Sequence, residues 1–100
     1  MIKHIVLWNF KDHAAGADKA TNMARAKERI QALAQLVPGM VRLEVAAAEP
    51  GFACTCDFIS LTEFADRAAL DAYQSHPKHQ PVKAFMRSVT AERHAMDYQT

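Results

Sequence analysis

The sequence predicts an α+β domain with the order β-α-β-β-α-β. This is the ferredoxin-like arrangement, in which a four-stranded antiparallel sheet carries its helices on one face. Three observations support the prediction: four short segments alternate in polarity, two longer segments carry apolar residues at helical spacing, and turn residues separate them. Of the 100 residues, 50% are hydrophobic and 23% are charged, so residues 1–100 are expected to form one globular domain.

The first strand is predicted over residues 2–10. The residues on one side of it are Ile2, His4, Val6, Trp8 and Phe10. Ile5 and Leu7 lie on the other side. Because a strand with large apolar groups on both sides must be covered on both, this strand is expected at the centre of the structure.

The first helix is predicted after a connection over residues 11–17. Asp18 is a suitable N-cap, and apolar residues recur at helical spacing as far as about Leu36. The helix is expected to stop at Pro38-Gly39.

Two further strands are predicted over residues 40–47 and 57–64. In the first of them, Val41, Leu43 and Val45 share one side. In the other, Phe58 and Phe64 share one side and Ile59 and Leu61 share the opposite side. Residues 49–53 contain Pro50-Gly51 and are expected to form a turn or loop.

The second helix is predicted to begin at an Asp66 cap, with Ala69, Leu70 and Tyr73 on one face. The last strand is predicted over residues 89–98, with His94, Met96 and Tyr98 on one side. Since Ile5, Leu7, Ile59 and Leu61 would then make the open sheet face apolar, that face is expected to form a homodimer with a second copy.

The segment from Tyr73 to His79 is the strongest candidate for a functional site. Pro77 cannot continue a helix, so His76 is expected to cap the break and Pro77 to begin a new helical turn. Pro81 is expected to restart the helix. A phenol and two imidazoles near such a break are suited to acid–base chemistry close to neutral pH.

Charge and composition argue against several classes of partner. The 12 Lys and Arg residues are spread along a chain of net charge +1, so no nucleic-acid partner is predicted. No apolar run reaches the roughly 20 residues that span a bilayer, and the N-terminus lacks signal-peptide features. Cys54 and Cys56 are too close in sequence for an unstrained disulfide, which favours reduced thiols and a cytoplasmic location.

Neither a metal nor a cofactor is predicted. His4, His76 and His79 are imidazoles of the kind that bind zinc, but they lack a spacing such as His-x-x-x-His on one helix.

Five segments, spread over nearly the whole chain, carry a resemblance to a known family. They are Ile2–Lys11, Val37–Met40, Ser60–Phe64, Leu70–His79 with its Tyr-x-x-His-Pro-x-His element, and Met96–Tyr98. In these segments the chain resembles the Dabb family, the dimeric α+β barrel domains also called stress-responsive A/B barrel proteins. The resemblance implies a dimeric barrel made of two sheets packed face to face.

The resemblance implies less about activity. Many Dabb members have no assigned activity, the family is associated with stress response in plants, and one branch contains polyketide cyclases. Similarity to that branch implies that Tyr73 and His79 perform an intramolecular aldol closure and that His4 lines the pocket. The chain departs from the branch at Phe58, which stands where a polar His is expected. Ala26 and Ile30 also stand where bulkier aromatic residues are expected.

Each candidate residue has a functional and a structural interpretation. His79 could act as a general base with Tyr73 as hydrogen-bond donor, or His76 and His79 could bond carbonyls freed by the prolines. The residues expected to line a pocket are His4, Val6, Trp8, Met23, Ile30 and Phe85. They could equally be core, with Asp97 either orienting an imidazole or standing free at a strand end.

Two functions follow from these interpretations. The first is a dimeric barrel with an apolar pocket, in a stress-related role that involves small-molecule binding. The second is a polyketide-cyclase-like enzyme that uses His79 as base and Tyr73 as hydrogen-bond donor.

Overall fold

The computed structural model describes all residues from 1 to 100. In chain order its elements are β1 (Ile2–Phe10), β2 (His13–Ala14), β3 (Ala17–Asp18), α1 (Lys19–Gln31), β4 (Met40–Ala47), β5 (Phe58–Phe64), α2 (Arg67–Ser75), a 3₁₀ turn (Pro77–His79), α3 (Gln80–Val89) and β6 (Thr90–Gln99). The main sheet has four antiparallel strands in the order β4-β5-β1-β6. This architecture confirms the predicted α+β, ferredoxin-like fold.

Strand β1 is at the centre of the sheet between β5 and β6. Its residues alternate strictly between buried and half-buried, because the helices cover only one face of the sheet. On that face Trp8 pairs with Phe58 of β5 and with Arg93 of β6. Strand β6 forms one edge of the sheet, and nearly all of its residues are exposed.

Two apolar clusters fill the space between sheet and helices. The cluster under α1 and α3 consists of Val6, Trp8, Phe10, Ala26, Ile30, Val45, Phe58, Met86 and Val89. The cluster under α2 consists of Ile2, Leu33, Val37, Met40, Phe64, Ala69, Leu70 and Tyr73. Between the clusters the sheet carries the buried polar residues His4, Ser60 and Thr62, so the interior is polar at this point.

Helix α1 begins where the sequence predicts, because the Asp18 carboxylate accepts a hydrogen bond from the Thr21 amide at 2.8 Å. The predicted end of this helix is wrong. It ends at Gln31, not at Pro38-Gly39, and the chain continues through tight turns to Gln35, which has a left-handed φ of 63°. These turns bring Leu33 and Val37 into the cluster under α2.

Two other local predictions need correction. The connection over residues 11–17 contains the β2–β3 hairpin, which Asn22 of α1 holds by donating its amide to the Ala14 and Ala17 carbonyls. In β4, Val41 does not share the buried side with Val45 but is 53% exposed. The pairing with β5 shifts between Met40 and Arg42, so Val41 is the extra residue of a bulge.

The helix break follows the proline positions. The Asp66 carboxylate caps α2 by accepting from the Ala69 amide at 2.9 Å. His76 ends α2 in extended backbone, and its Nδ1 accepts a hydrogen bond from the Lys78 amide at 3.1 Å. Pro77 begins the 3₁₀ turn and Pro81 lies in the first turn of α3, positions where a missing N–H costs nothing.

The sheet face opposite the helices has an apolar centre. Ile5, Leu7, Ile59 and Leu61 are half-buried there, and Met96, which pairs with Ile5, is 65% exposed. None of the three α-helices combines the length and the apolar character needed to cross a membrane.

Candidate functional site

A cavity of about 590 Å³ lies between the helix-facing side of β1 and β6 and the helices α2 and α3. Its apolar lining residues are Val6, Trp8, Ile30, Val82, Met86 and Ala91. Its uncharged polar lining residues are Ser60, Thr90, Tyr73, Gln74 and the two histidines His4 and His79. The cavity lies between the two apolar clusters, where the interior is polar. Strand register and the helix break bring its lining side chains together.

His79 is held by the helix break. It is the last residue of the 3₁₀ turn, 9% exposed, and its Nδ1 donates to the Tyr73 carbonyl at 3.0 Å. This carbonyl, at the end of α2, also accepts a hydrogen bond from the His76 amide at 3.3 Å, so His79 adds a second donor to it. With the proton on Nδ1, Nε2 has a free lone pair, and it has no hydrogen-bond partner in the protein.

The surroundings of His79 favour its neutral form. Burial is the main cause that lowers its pKa below the ordinary value, and the nearby charges of Lys83, His4 and His76 lower it further. The hydrogen bond with Tyr73 acts in the opposite direction and is outweighed. A neutral imidazole can accept a proton from a bound molecule.

Tyr73 lies against His79 on the wall of the cavity. Their ring centroids are 4.3 Å apart, and Phe64 packs on the other side of Tyr73 at 5.3 Å. The Tyr73 hydroxyl has no hydrogen-bond partner in the protein. Every fully buried side-chain polar atom does have a partner, so this hydroxyl is not fully buried, and Tyr73 lines the cavity. Burial raises the pKa of Tyr73 to about 12, so the hydroxyl remains a donor at neutral pH.

His4 belongs to a second polar group on the sheet. Asp97 is opposite it across the β1–β6 pairing, and its carboxylate accepts a hydrogen bond from His4 Nδ1. Gln74 of α2 lies 3.3 Å from His4 Nε2, so its side-chain amide donates to that nitrogen. His4 is therefore fixed from both sides, whereas His79 keeps one nitrogen available.

The structure distributes the residues predicted from the sequence between this cavity and other places. His4, Val6, Trp8, Ile30, Tyr73 and His79 line the cavity. Met23 does not: it lies in a shallow depression with Ala47 and Phe58. Phe85 does not either, because its helix position turns it towards α1, where the Arg29 guanidinium lies 3.9 Å from its ring centroid.

His76 and the cysteines lie away from the cavity. His76 remains at the break that it caps, and the thiols of Cys54 and Cys56 are free in the loop before β5. No group of three or more His, Cys, Asp or Glu side chains is arranged to hold a metal ion.

Sequence reasoning missed Gln74 and Lys83. The Lys83 ammonium donates to the Gln74 carbonyl at 2.6 Å and joins α3 to the end of α2. The sequence does contain a signal for Lys83. It follows His79 by four residues, the spacing at which two side chains share one face of a helix. Gln74 carries no such signal.

The family and structure comparisons both find matches over nearly the whole chain. A family model described as the stress responsive A/B barrel domain, Dabb, matches residues 2–100. Among curated proteins none matches.

Three solved structures are similar over 99% of this chain. A dimeric protein of unknown function and ferredoxin-like fold from Bacteroides fragilis is 27% identical, is covered over 95% of its length and has a TM-score of 0.81. A Dabb family protein from Mesorhizobium loti is 25% identical, with 95% coverage and a TM-score of 0.69. A dimeric ferredoxin-like protein of unknown function from Thermobifida fusca is 21% identical, with 90% coverage and a TM-score of 0.86.

Proposed function

Since this chain belongs to the Dabb family of stress-responsive A/B barrel domains, we propose that it is a dimeric barrel protein that binds an apolar small molecule, in a stress-related role. The observation that carries the proposal is the cavity of about 590 Å³ beside His79. Its volume and its apolar wall with a few convergent polar groups are typical of small-molecule sites.

The dimeric state is part of the proposal. The open sheet face presents Ile5, Leu7, Ile59 and Leu61, a surface that water solvates poorly. The similar proteins from Bacteroides fragilis and Thermobifida fusca are described as dimeric. Two copies packed through this face would bury it and leave each cavity on the helix side of its own sheet.

A neutral apolar fluorophore, N-phenyl-1-naphthylamine, tests the binding function. We expect saturable binding to the wild type and at least tenfold weaker binding to Val82→Phe, because the larger side chain fills part of the cavity. Ala84→Phe is the matched control: it adds a phenyl group on the exposed side of α3 and should bind as the wild type does. Equal binding by both variants would overturn the proposal, with thermal unfolding confirming that both are folded.

An enzymatic function is the second candidate, favoured by the two unpartnered polar atoms of His79 and Tyr73. In a polyketide-cyclase-like reaction, His79 Nε2 removes a proton α to a carbonyl and the Tyr73 hydroxyl donates to the enolate oxygen. The enolate carbon then attacks a second carbonyl of the same molecule, and that carbonyl oxygen takes up a proton. The aldol closure needs no cofactor because it transfers only protons and forms one carbon–carbon bond.

The enolisation step can be tested with a simple ketone. We expect the protein to accelerate deuterium exchange into the methyl group of acetophenone in D₂O, measured by NMR. His79→Asn and Tyr73→Phe should each reduce that acceleration about a hundredfold, the lower end of general acid–base effects. His76→Asn, at the helix break but off the cavity, is the control. Exchange that persists in His79→Asn would exclude this role.

A further inference from the structure

Three cationic side chains line the cavity without an acidic partner. Lys83 and Arg87 are one turn apart on α3, and Arg93 is on β6. The ion pairs of the chain all join other residues.

The strand register separates the only acidic lining residue from these cations. Arg93 pairs with Trp8 and therefore has its side chain on the helix-facing side of the sheet. Glu92 pairs with Asn9, which puts its side chain on the opposite face, and its carboxylate lies 3.5 Å from His94 Nε2. The positive charge at the cavity is therefore not neutralised by the chain itself.

The proximity of these cations is electrostatically unfavourable. Like charges at i and i+4 of a helix repel, as Lys83 and Arg87 do. Burial lowers the pKa of half-buried Lys83, and the charges of Arg93 and Arg87 lower it further. A bound anion would relieve this repulsion, and guanidinium groups suit oxygen anions because their N–H groups match two acceptor oxygens.

The apolar and cationic parts of the cavity lie side by side. Trp8, Ile30 and Met86 form a wall that is buried in the core, whereas Arg87 and Arg93 are exposed at the mouth. We propose that the cavity takes an amphipathic carboxylate, with its apolar body against this wall and its carboxylate between Lys83, Arg87 and Arg93. The inference rests on the proposed function, since it names the ligand class of the same cavity.

Calorimetric titration with decanoate and decan-1-ol, which share an alkyl chain and differ in the head group, tests the inference. We expect decanoate to bind at least tenfold more tightly, since a hydrogen bond to a charged group is worth about that factor or more. High salt should weaken decanoate binding and leave decanol binding nearly unchanged.

A charge-neutral variant locates the effect. In Arg87→Gln/Arg93→Gln the preference for decanoate should fall at least tenfold, since its charge-assisted hydrogen bonds are lost. Arg67→Gln/Lys78→Gln removes the same charge from exposed positions on α2 and the 3₁₀ turn, and should keep the preference. Thermal unfolding of both variants verifies the fold.

The outcomes separate this inference from the proposed function. If decanol binds as tightly as decanoate, or if the cavity variant keeps the preference, the carboxylate site is overturned and the apolar cavity stands. If the wild type binds neither probe while N-phenyl-1-naphthylamine binds, the carboxylate site alone is overturned. If none of the three binds, the proposed function fails as well.

Discussion

At the scale of single residues, His79 combines a structural and a chemical property in one ring. Its Nδ1 donates a hydrogen bond to the Tyr73 carbonyl at the end of α2, and this bond fixes which nitrogen is free. The two interpretations that the sequence leaves open, capping and acid–base chemistry, therefore do not compete. The capping bond orients the imidazole, and the other nitrogen is available for a ligand.

The lowered pKa of His79 predicts a pH dependence of stability. Because burial lowers the folded-state pKa below 6.5, the unfolded chain binds more protons in the window between the two values. The free energy of unfolding is then highest above about pH 6.5 and falls as the pH drops towards the folded pKa. Urea unfolding of the wild type at a series of pH values measures this fall.

Two substitutions at position 79 separate the roles of the ring. His79→Asn removes the titration but can still donate to the Tyr73 carbonyl, so its free energy of unfolding should depend less on pH. Lys83, His4 and His76 face the ring and remain in both proteins. His79→Ala should lose about 0.5–1.5 kcal/mol at neutral pH, the net contribution of one hydrogen bond, because the Tyr73 carbonyl keeps its bond from the His76 amide. The same pH dependence in His79→Asn and the wild type would contradict the assignment; exposed His13→Asn is the control.

At the scale of elements, the connection from α1 to β4 depends on Gly39. Its φ of +87° is in the left-handed region, and a Cβ added there would lie 2.9 Å from the Ala69 side chain of α2. The glycine therefore permits both the turn into β4 and the close approach of α2. The sequence correctly indicates a break at Pro38-Gly39, but this break starts a strand and does not end the helix.

Gly39→Ala should destabilise the protein in two ways. The left-handed backbone costs about 1–3 kcal/mol for a non-glycine residue, and the contact with Ala69 adds to this cost. Gly51→Ala is the matched control, because it has a φ of +95° but no heavy atom within 4 Å of the added Cβ. Urea unfolding should therefore show the larger loss for Gly39→Ala. Equal losses would mean that the contact contributes nothing.

At the scale of the whole molecule, the two sheet faces differ in what covers them in the proposed dimer. The helices cover one face, and the proposed dimer covers the other. The alternation of side chains along β1 correctly assigned Ile5 and Leu7 to the side opposite His4 and Val6. The pairing of β5 with β1 places Ile59 opposite Leu7 and Leu61 opposite Ile5, so all four residues lie on the same face of the sheet.

A charge placed on the open face should dissociate the dimer. We expect Ile5→Asp to raise the dimer dissociation constant about a hundredfold or more, since an unpaired buried charge costs about 3 kcal/mol or more. Sedimentation velocity over a concentration series measures the change. Ala72→Asp places the same charge on the exposed side of α2 and should remain dimeric. A monomeric wild type, or a variant as dimeric as the wild type, would refute the interface.

The candidate site is predicted from the sequence only in part. Tyr73 and His79 could be found because prolines and periodicity mark the helix break beside them. The structure places Met23 and Phe85 outside this cavity, because helical spacing shows that a residue faces inward but does not show which neighbour it contacts. The bond between His4 and Asp97 joins residues 93 positions apart and depends on strand register.

The sequence by itself determined the order along the chain of the four strands of the main sheet, the helix caps at Asp18 and Asp66, and the proline break, because these depend on neighbours a few residues away. Only the tertiary structure decided the end of α1, the bulge at Val41 and the meeting of Lys83, Arg87 and Arg93 at one cavity. The physical reason is that local backbone preferences act within a helical turn. Packing and strand register, in contrast, select which distant side chains come into contact.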